Sequence, residues 1–118
     1  KDYVEAMWKI LQQKNPDDWV IATGKQYSIK SFINIVCKKL NIKIQWKGKG
    51  LNEKGINTVN KKSIIQIDKN YFRPLDVNTL LGDASKARRK LKWKPKYNLN
   101  SLVDEMISEE IKIINENK

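Results

Sequence analysis

Arg73 is followed at once by Pro74 and, three residues on, by Asp76. The group comes directly after the apolar run Ile64-Ile65-Gln66-Ile67 and the polar step Asp68-Lys69-Asn70. Arginine offers a planar guanidinium fork that pairs bidentately with phosphate oxygens. The proline ring fixes the backbone behind it, which lowers the entropy lost when such a site orders around a ligand. A carboxylate at Asp76 adds an acceptor for sugar hydroxyls. The chemistry on offer is therefore binding, a cradle for a nucleoside diphosphate and its ribose. The alternative for Arg73 is a surface salt bridge with Asp68 or Asp76, worth little in water.

Catalytic groups are missing. The chain has no histidine and a single cysteine, Cys37, so neither a zinc site nor a Ser-His-Asp system can be assembled. Cys37 lies at helical spacing among Ile33, Val36 and Leu40, which predicts a buried, inert thiol with no disulfide partner. No glycine-rich strand-to-helix turn of the dinucleotide-binding type occurs. Gly48 and Gly50 stand in a lysine-rich loop, and no tyrosine precedes a lysine by four residues.

A formal net charge of +11 over 118 residues raises nucleic acid as a partner. Most of that charge is spread evenly. One cluster stands out, from Lys86 through Arg88, Arg89, Lys90, Lys92 and Lys94 to Lys96, and Trp93 inside it could stack on a base. A small basic nucleic-acid-binding module is thus the alternative reading. Along a helix the same residues would point in several directions, as on an ordinary solvated surface.

The elements that must hold these groups alternate between helical and strand patterns. Val4, Met7, Trp8 and Leu11 predict a helix over 2–13, ended by Asn15-Pro16-Asp17-Asp18. Trp19-Val20-Ile21-Ala22 reads as a short buried strand. Ser28 should cap a second helix with Ile29, Phe32, Ile33, Val36 and Leu40 on its apolar face. Ile42, Ile44 and Trp46 alternate as in a half-buried strand, and 56–59 and 64–67 suggest two more. Asp83 is placed to cap a helix through Leu91, stopped by Lys92-Trp93-Lys94-Pro95. Asn98 should cap a last helix faced by Leu102, Val103, Met106, Ile107, Ile111 and Ile114. Trp8, Trp46 and Trp93 are all expected to face a core. The class is α/β, with strands too few and short for a complete doubly wound sheet. No run of eighteen apolar residues and no charged start before an apolar stretch occurs, which points to a cytoplasmic protein without a membrane span.

Two segments resemble the C-terminal part of the extended short-chain dehydrogenase/reductase superfamily. Asp2-Tyr3-Val4-Glu5-Ala6 resembles its D-x-x-x-A helix start. Leu91-Lys92-Trp93-Lys94-Pro95-Lys96 resembles its L-G-W-x-P closing motif, with Lys92 in place of the glycine. Four stretches are similar more narrowly to the GDP-mannose 4,6-dehydratases. They are Asp2–Trp8, Trp19–Gly24, Glu53-Lys54-Gly55, and Tyr71-Phe72-Arg73-Pro74 through Leu80-Leu81-Gly82-Asp83.

The resemblance implies a small substrate-binding subdomain at 15–118, and a helix at 1–14 that packs on a Rossmann domain absent from this chain. That domain would carry NADP and the catalytic Thr/Ser, Glu, Tyr and Lys, so this chain alone would be inactive. The whole enzyme, a lyase, would convert GDP-mannose to GDP-4-keto-6-deoxy-mannose, a precursor of fucose and related deoxy sugars, as a homodimer or homotetramer. Arg73 would bind the diphosphate. The family usually has glutamate where Asp76 stands, so the shorter Asp76 would lie near the ribose. Glu53-Lys54-Gly55 would serve either to stabilise a loop or to contact ligand.

Overall fold

A computed structural model describes all residues except 74–76, 78 and 118. In chain order its elements are α1 (Asp2–Leu11), α2 (Ile29–Lys39), β1 (Ile44–Lys47), a 3₁₀ turn (Gly50–Asn52), β2 (Lys54–Asn57) and β3 (Ser63–Gln66). A second 3₁₀ turn (Lys69–Tyr71), α3 (Ser85–Lys90) and α4 (Leu99–Glu116) follow. The chain forms two compact units. One comprises Lys1–Tyr27 and Asn78–Leu102, the other Ser28–Val77 and Val103–Lys118.

The first unit is built on small residues that let its elements approach closely. Ala6 of α1 and Ala84 and Ala87 beside and within α3 surround Leu91 and Trp93, with Ile10, Trp19, Ile21 and Ala22 packed around them. Trp93 is fully buried, and its indole Nε1 donates to the Asp2 carbonyl at 2.9 Å. The Asp2 carboxylate accepts the backbone N–H groups of Lys96 and Tyr97, each at 2.9 Å. Lys96 Nζ reaches Glu5 at 2.6 Å. The two sequence motifs at 2–6 and 91–96 are therefore one structural lock, holding the helix start against the closing turn.

Two expectations in this unit need correction. The segment Trp19–Ala22 is not a strand, and Val20 is half exposed. A strand is a pairing state, and among the described residues nothing pairs with this segment in a ladder. Trp8 is likewise not in a core. It is 61% exposed, on a face of α1 shared with Tyr3, Val4, Met7 and Leu11, all exposed. The buried face of α1 is instead Asp2 and Ala6.

The second unit carries a three-stranded antiparallel sheet in the order β1-β2-β3. Trp46 stands opposite Gly55, which is buried, and Gly55 stands opposite Ile65. A Cβ at Gly55 would lie 2.7 Å from Ile44 Cδ1 and 3.1 Å from Ile65 Cβ, so a larger residue there would have to push these neighbouring side chains aside. Ser28 caps α2 as expected, its hydroxyl accepting from Ser31 N at 3.1 Å. Phe32, Ile33 and Val36 are partly covered, and Cys37 is buried. Burial pushes the Cys37 thiol up from its ordinary value, which suits the inert role. Ile29 departs from its assigned face. It is 76% exposed, at the first position of the helix.

Side-chain caps open α2 and α4, whereas α1 (N-cap Lys1) and α3 (N-cap Ala84) have none, and the cap expected of Asp83 falls one residue outside the N-cap of α3. Asp83 Oδ1 accepts from Ser85 N at 2.9 Å ahead of α3, and Asn98 Oδ1 accepts from Ser101 N at 3.0 Å ahead of α4. Of the face proposed for α4, Val103 is fully buried, whereas Leu102, Met106, Ile111 and Ile114 are about half exposed. An ion pair between Lys39 and Asp104 links α2 to α4 within the second unit. Among the described residues no helix is long and apolar enough to cross a membrane.

Candidate functional site

The segment that carries Arg73 leaves β3 through a short, well-braced turn. Asp68 caps it, its carboxylate accepting from Asn70 N at 2.9 Å. Tyr71 N donates to the Asp68 carbonyl at 3.2 Å and Phe72 N to the Lys69 carbonyl at 3.4 Å. Phe72 then returns to extended backbone at φ −71°, ψ 128°. Arg73 follows and is exposed. Of the two carboxylates that compete for it in sequence, Asp68 is engaged with its own turn, and no ion pair joins it to Arg73. Asp76 lies outside the described residues. Arg73 thus presents a guanidinium to solvent from a turn whose backbone is held by three hydrogen bonds.

The second conspicuous arrangement in this unit surrounds the loop between β1 and β2. Gly48 adopts φ +85°, and a Cβ there would fall 2.4 Å from the Asn52 carbonyl oxygen, so the tight path requires glycine. Glu53 at the end of the loop pairs with Lys30 of α2 at 2.6 Å. The same Lys30 ammonium stands 4.8 Å from the centre of the Trp46 ring, and Trp46 Nε1 donates to Asn34 Oδ1 at 2.9 Å. Helix, strand and loop are therefore stitched together by four side chains. Of the two roles weighed for Glu53, loop stabilisation is the one these contacts support. Lys30 and Asn34 were not singled out from sequence, because a polar helix face gives no sign of what it meets.

The basic cluster is largely occupied. Lys86 pairs with Asp17 at 2.5 Å and lies 5.1 Å from the Trp19 ring centre, and Lys90 approaches the same carboxylate at 3.5 Å. Lys96 is held by Glu5, and Arg88 donates to the Thr23 carbonyl at 3.5 Å. These partners hold Asp17 and Glu5 below their ordinary values, Asp17 through Lys86 first and Glu5 through Lys96 first. Trp93, the one aromatic inside the cluster, is fully buried and offers no face to a base. Among the described residues no three metal-ligating side chains gather into a site. Gly48 precedes and Gly50 opens a three-residue 3₁₀ turn that leads into a strand, with no α-helix N-terminus there to receive a pyrophosphate. The residues present do not fit a nicotinamide cofactor.

Residues 1–106 match the family model described as GDP-mannose 4,6 dehydratase. The chain belongs to that family. It is 43% identical to the GDP-mannose 4,6-dehydratase of Vibrio cholerae over 123 aligned residues, covering 96% of this chain and 33% of that protein. Against GDP-mannose 4,6 dehydratase 2 of Caenorhabditis elegans the identity is 44%, over 97% of this chain and 30% of the relative. The Drosophila melanogaster GDP-mannose 4,6 dehydratase gives 43%, over 98% and 29%. The chain spans about a third of the length of the curated relatives it matches, and the match falls on their C-terminal part. Within the dehydratase family the small mixed α/β fold described above is a C-terminal subdomain of an extended short-chain dehydrogenase/reductase.

Proposed function

We propose that this chain is the nucleotide-sugar-binding part of a GDP-mannose 4,6-dehydratase. The observation that supports this most is Arg73, an exposed residue that no ion pair joins to another described residue, following a braced turn in a chain of that family. In this reading Arg73 grips the diphosphate of GDP-mannose and Asp76 accepts from the ribose. The subdomain closes over the nucleotide while the sugar extends toward catalytic groups that this chain does not contain. Those groups, with NADP, belong to a Rossmann domain contributed by polypeptide outside these residues, where hydride transfer would yield GDP-4-keto-6-deoxy-mannose. The exposed apolar face of α1 (Tyr3, Val4, Met7, Trp8 and Leu11) fits the same reading. A helix with apolar side chains on two faces belongs between two layers, and the layer outside would be that domain.

Alone, the chain is catalytically inert and its activity is binding. Titration calorimetry with GDP-mannose tests this. Charge-assisted hydrogen bonds to a phosphate contribute about 1.5–3 kcal/mol, so Arg73→Ala should weaken binding by roughly 10- to 100-fold. A nucleic-acid module behaves in the opposite way. Its affinity for a polyanion falls steeply with salt and ignores Arg73→Ala. That pattern, with no GDP-mannose binding, overturns the proposal.

A further inference from the structure

Tyr71 is the most exposed large hydrophobic side chain among the described residues, at 84%. A ring left in water forgoes the gain that burial gives an aromatic. Tyr71 closes the 3₁₀ turn, and its N–H is bonded to the Asp68 carbonyl. Phe72, in extended backbone, is the more covered of the two rings at 45% exposure. Extended backbone sends neighbouring side chains in different directions and advances about 3.3 Å per residue. Tyr71 and Arg73 thus flank Phe72 with their Cα atoms about 6–7 Å apart. An exposed ring and an exposed guanidinium at that spacing match the two ends of a nucleoside diphosphate, whose ribose separates a flat base from its phosphates.

We infer that Tyr71 is the platform on which the nucleobase stacks while Arg73 holds the phosphates. The inference rests on the binding role proposed above and adds to it the residue that tells a nucleotide from a bare diphosphate. Stacking is made by the ring face and not by the hydroxyl, so phenylalanine can replace tyrosine. Because every base has a π-face, the platform contributes affinity for nucleoside diphosphates as a class.

The test uses the full polypeptide that carries this chain, titrated separately with GDP and with inorganic pyrophosphate. Tyr71→Ala is expected to weaken GDP about tenfold, in line with the measured worth of one aromatic–base stack. It should leave pyrophosphate unchanged, and Tyr71→Phe should bind GDP like the parent. Arg73→Ala should weaken both probes. If Tyr71→Ala leaves GDP affinity intact while Arg73→Ala lowers it, the stacking role is overturned and the diphosphate site stands. Equal loss of GDP and pyrophosphate in Tyr71→Ala also overturns it, because the ring would then act only by holding the turn under Arg73. If Arg73→Ala alters neither probe, the binding reading itself falls.

Discussion

Asp2 accepts two backbone donors at once, from Lys96 and Tyr97, while its own carbonyl receives the Trp93 indole. A side chain only 9% exposed that satisfies two N–H groups is hard to replace, because each donor left without a partner loses its water as well. Asp2→Ala is therefore expected to cost roughly 2 kcal/mol of folding stability, read as a lower urea midpoint with an unchanged slope. Asp2→Asn keeps one acceptor oxygen and should lose less. An unchanged midpoint in Asp2→Ala would show that water serves these donors equally well. The sequence marked this residue through the D-x-x-x-A resemblance, yet nothing in the spacing pointed to its partners 94 and 95 positions away. Arg73 shows the reverse case. The phosphate-binding role proposed for it rests on residue type and family resemblance, and what the structure adds is its exposed position, the braced turn before it and the exposed ring of Tyr71 two residues away.

Among the elements, those decided by local chemistry were legible and those decided by distant partners were not. Ser28, Asp83 and Asn98 begin or precede helices because a short polar side chain satisfies free N–H groups within three residues, a relation written entirely in neighbouring positions. The strands at 44–47, 54–57 and 63–66 lie close in sequence and find one another through short loops, so their pattern reads directly, with boundaries displaced by one or two residues. Trp19–Ala22 has the composition of a strand but no ladder among the described residues, and composition alone does not create one. Lys92 is a smaller departure of the same kind. It occupies φ +52°, a left-handed conformation that disfavours a side chain, where the family motif places glycine. Lys92→Gly should therefore stabilise the first unit by roughly 0.5–1 kcal/mol, net of the extra freedom glycine gives the unfolded chain. The bond from Lys9 Nζ to the carbonyl of residue 92 survives the change, since it uses backbone. Thermal melting of the two proteins measures the difference. A lower melting temperature in Lys92→Gly would show that the lysine side chain itself stabilises the turn.

Across the whole molecule, 24 basic residues face 13 acidic ones, so the carboxylates that exist are disproportionately important. Glu5, Asp17 and Asp83 are all held below their ordinary values, Glu5 by Lys96, Asp17 by Lys86 and Asp83 by the Ser85 hydroxyl. A carboxylate depressed on folding stabilises the native state above its unfolded value, here 4.5 for Glu5 and 3.8 for the two aspartates. That contribution drains away as pH falls through the lower folded values. Lys96 works at the other limit. Glu5 raises it above 10.5, so its contribution is present below that pH and is lost as pH climbs past the raised value. The buried Cys37 thiol, raised from 9.0, begins to cost stability as pH climbs past 9, because the unfolded chain then releases a proton the folded one keeps. Stability should therefore be level between about pH 5 and 9 and fall on either side. On the acid side a second effect adds to the first. Protonating the carboxylates carries the net charge from +11 toward +24, and the compact state must then contain that self-repulsion. Urea midpoints between pH 7 and pH 3 would show the decline beginning below pH 4.5. Added salt separates the two causes, because it screens the repulsion but cannot restore a protonated ion pair. Partial recovery in salt at pH 3 is the expected result, whereas a midpoint that stays constant down to pH 3 would mean that these pairs contribute nothing to folding.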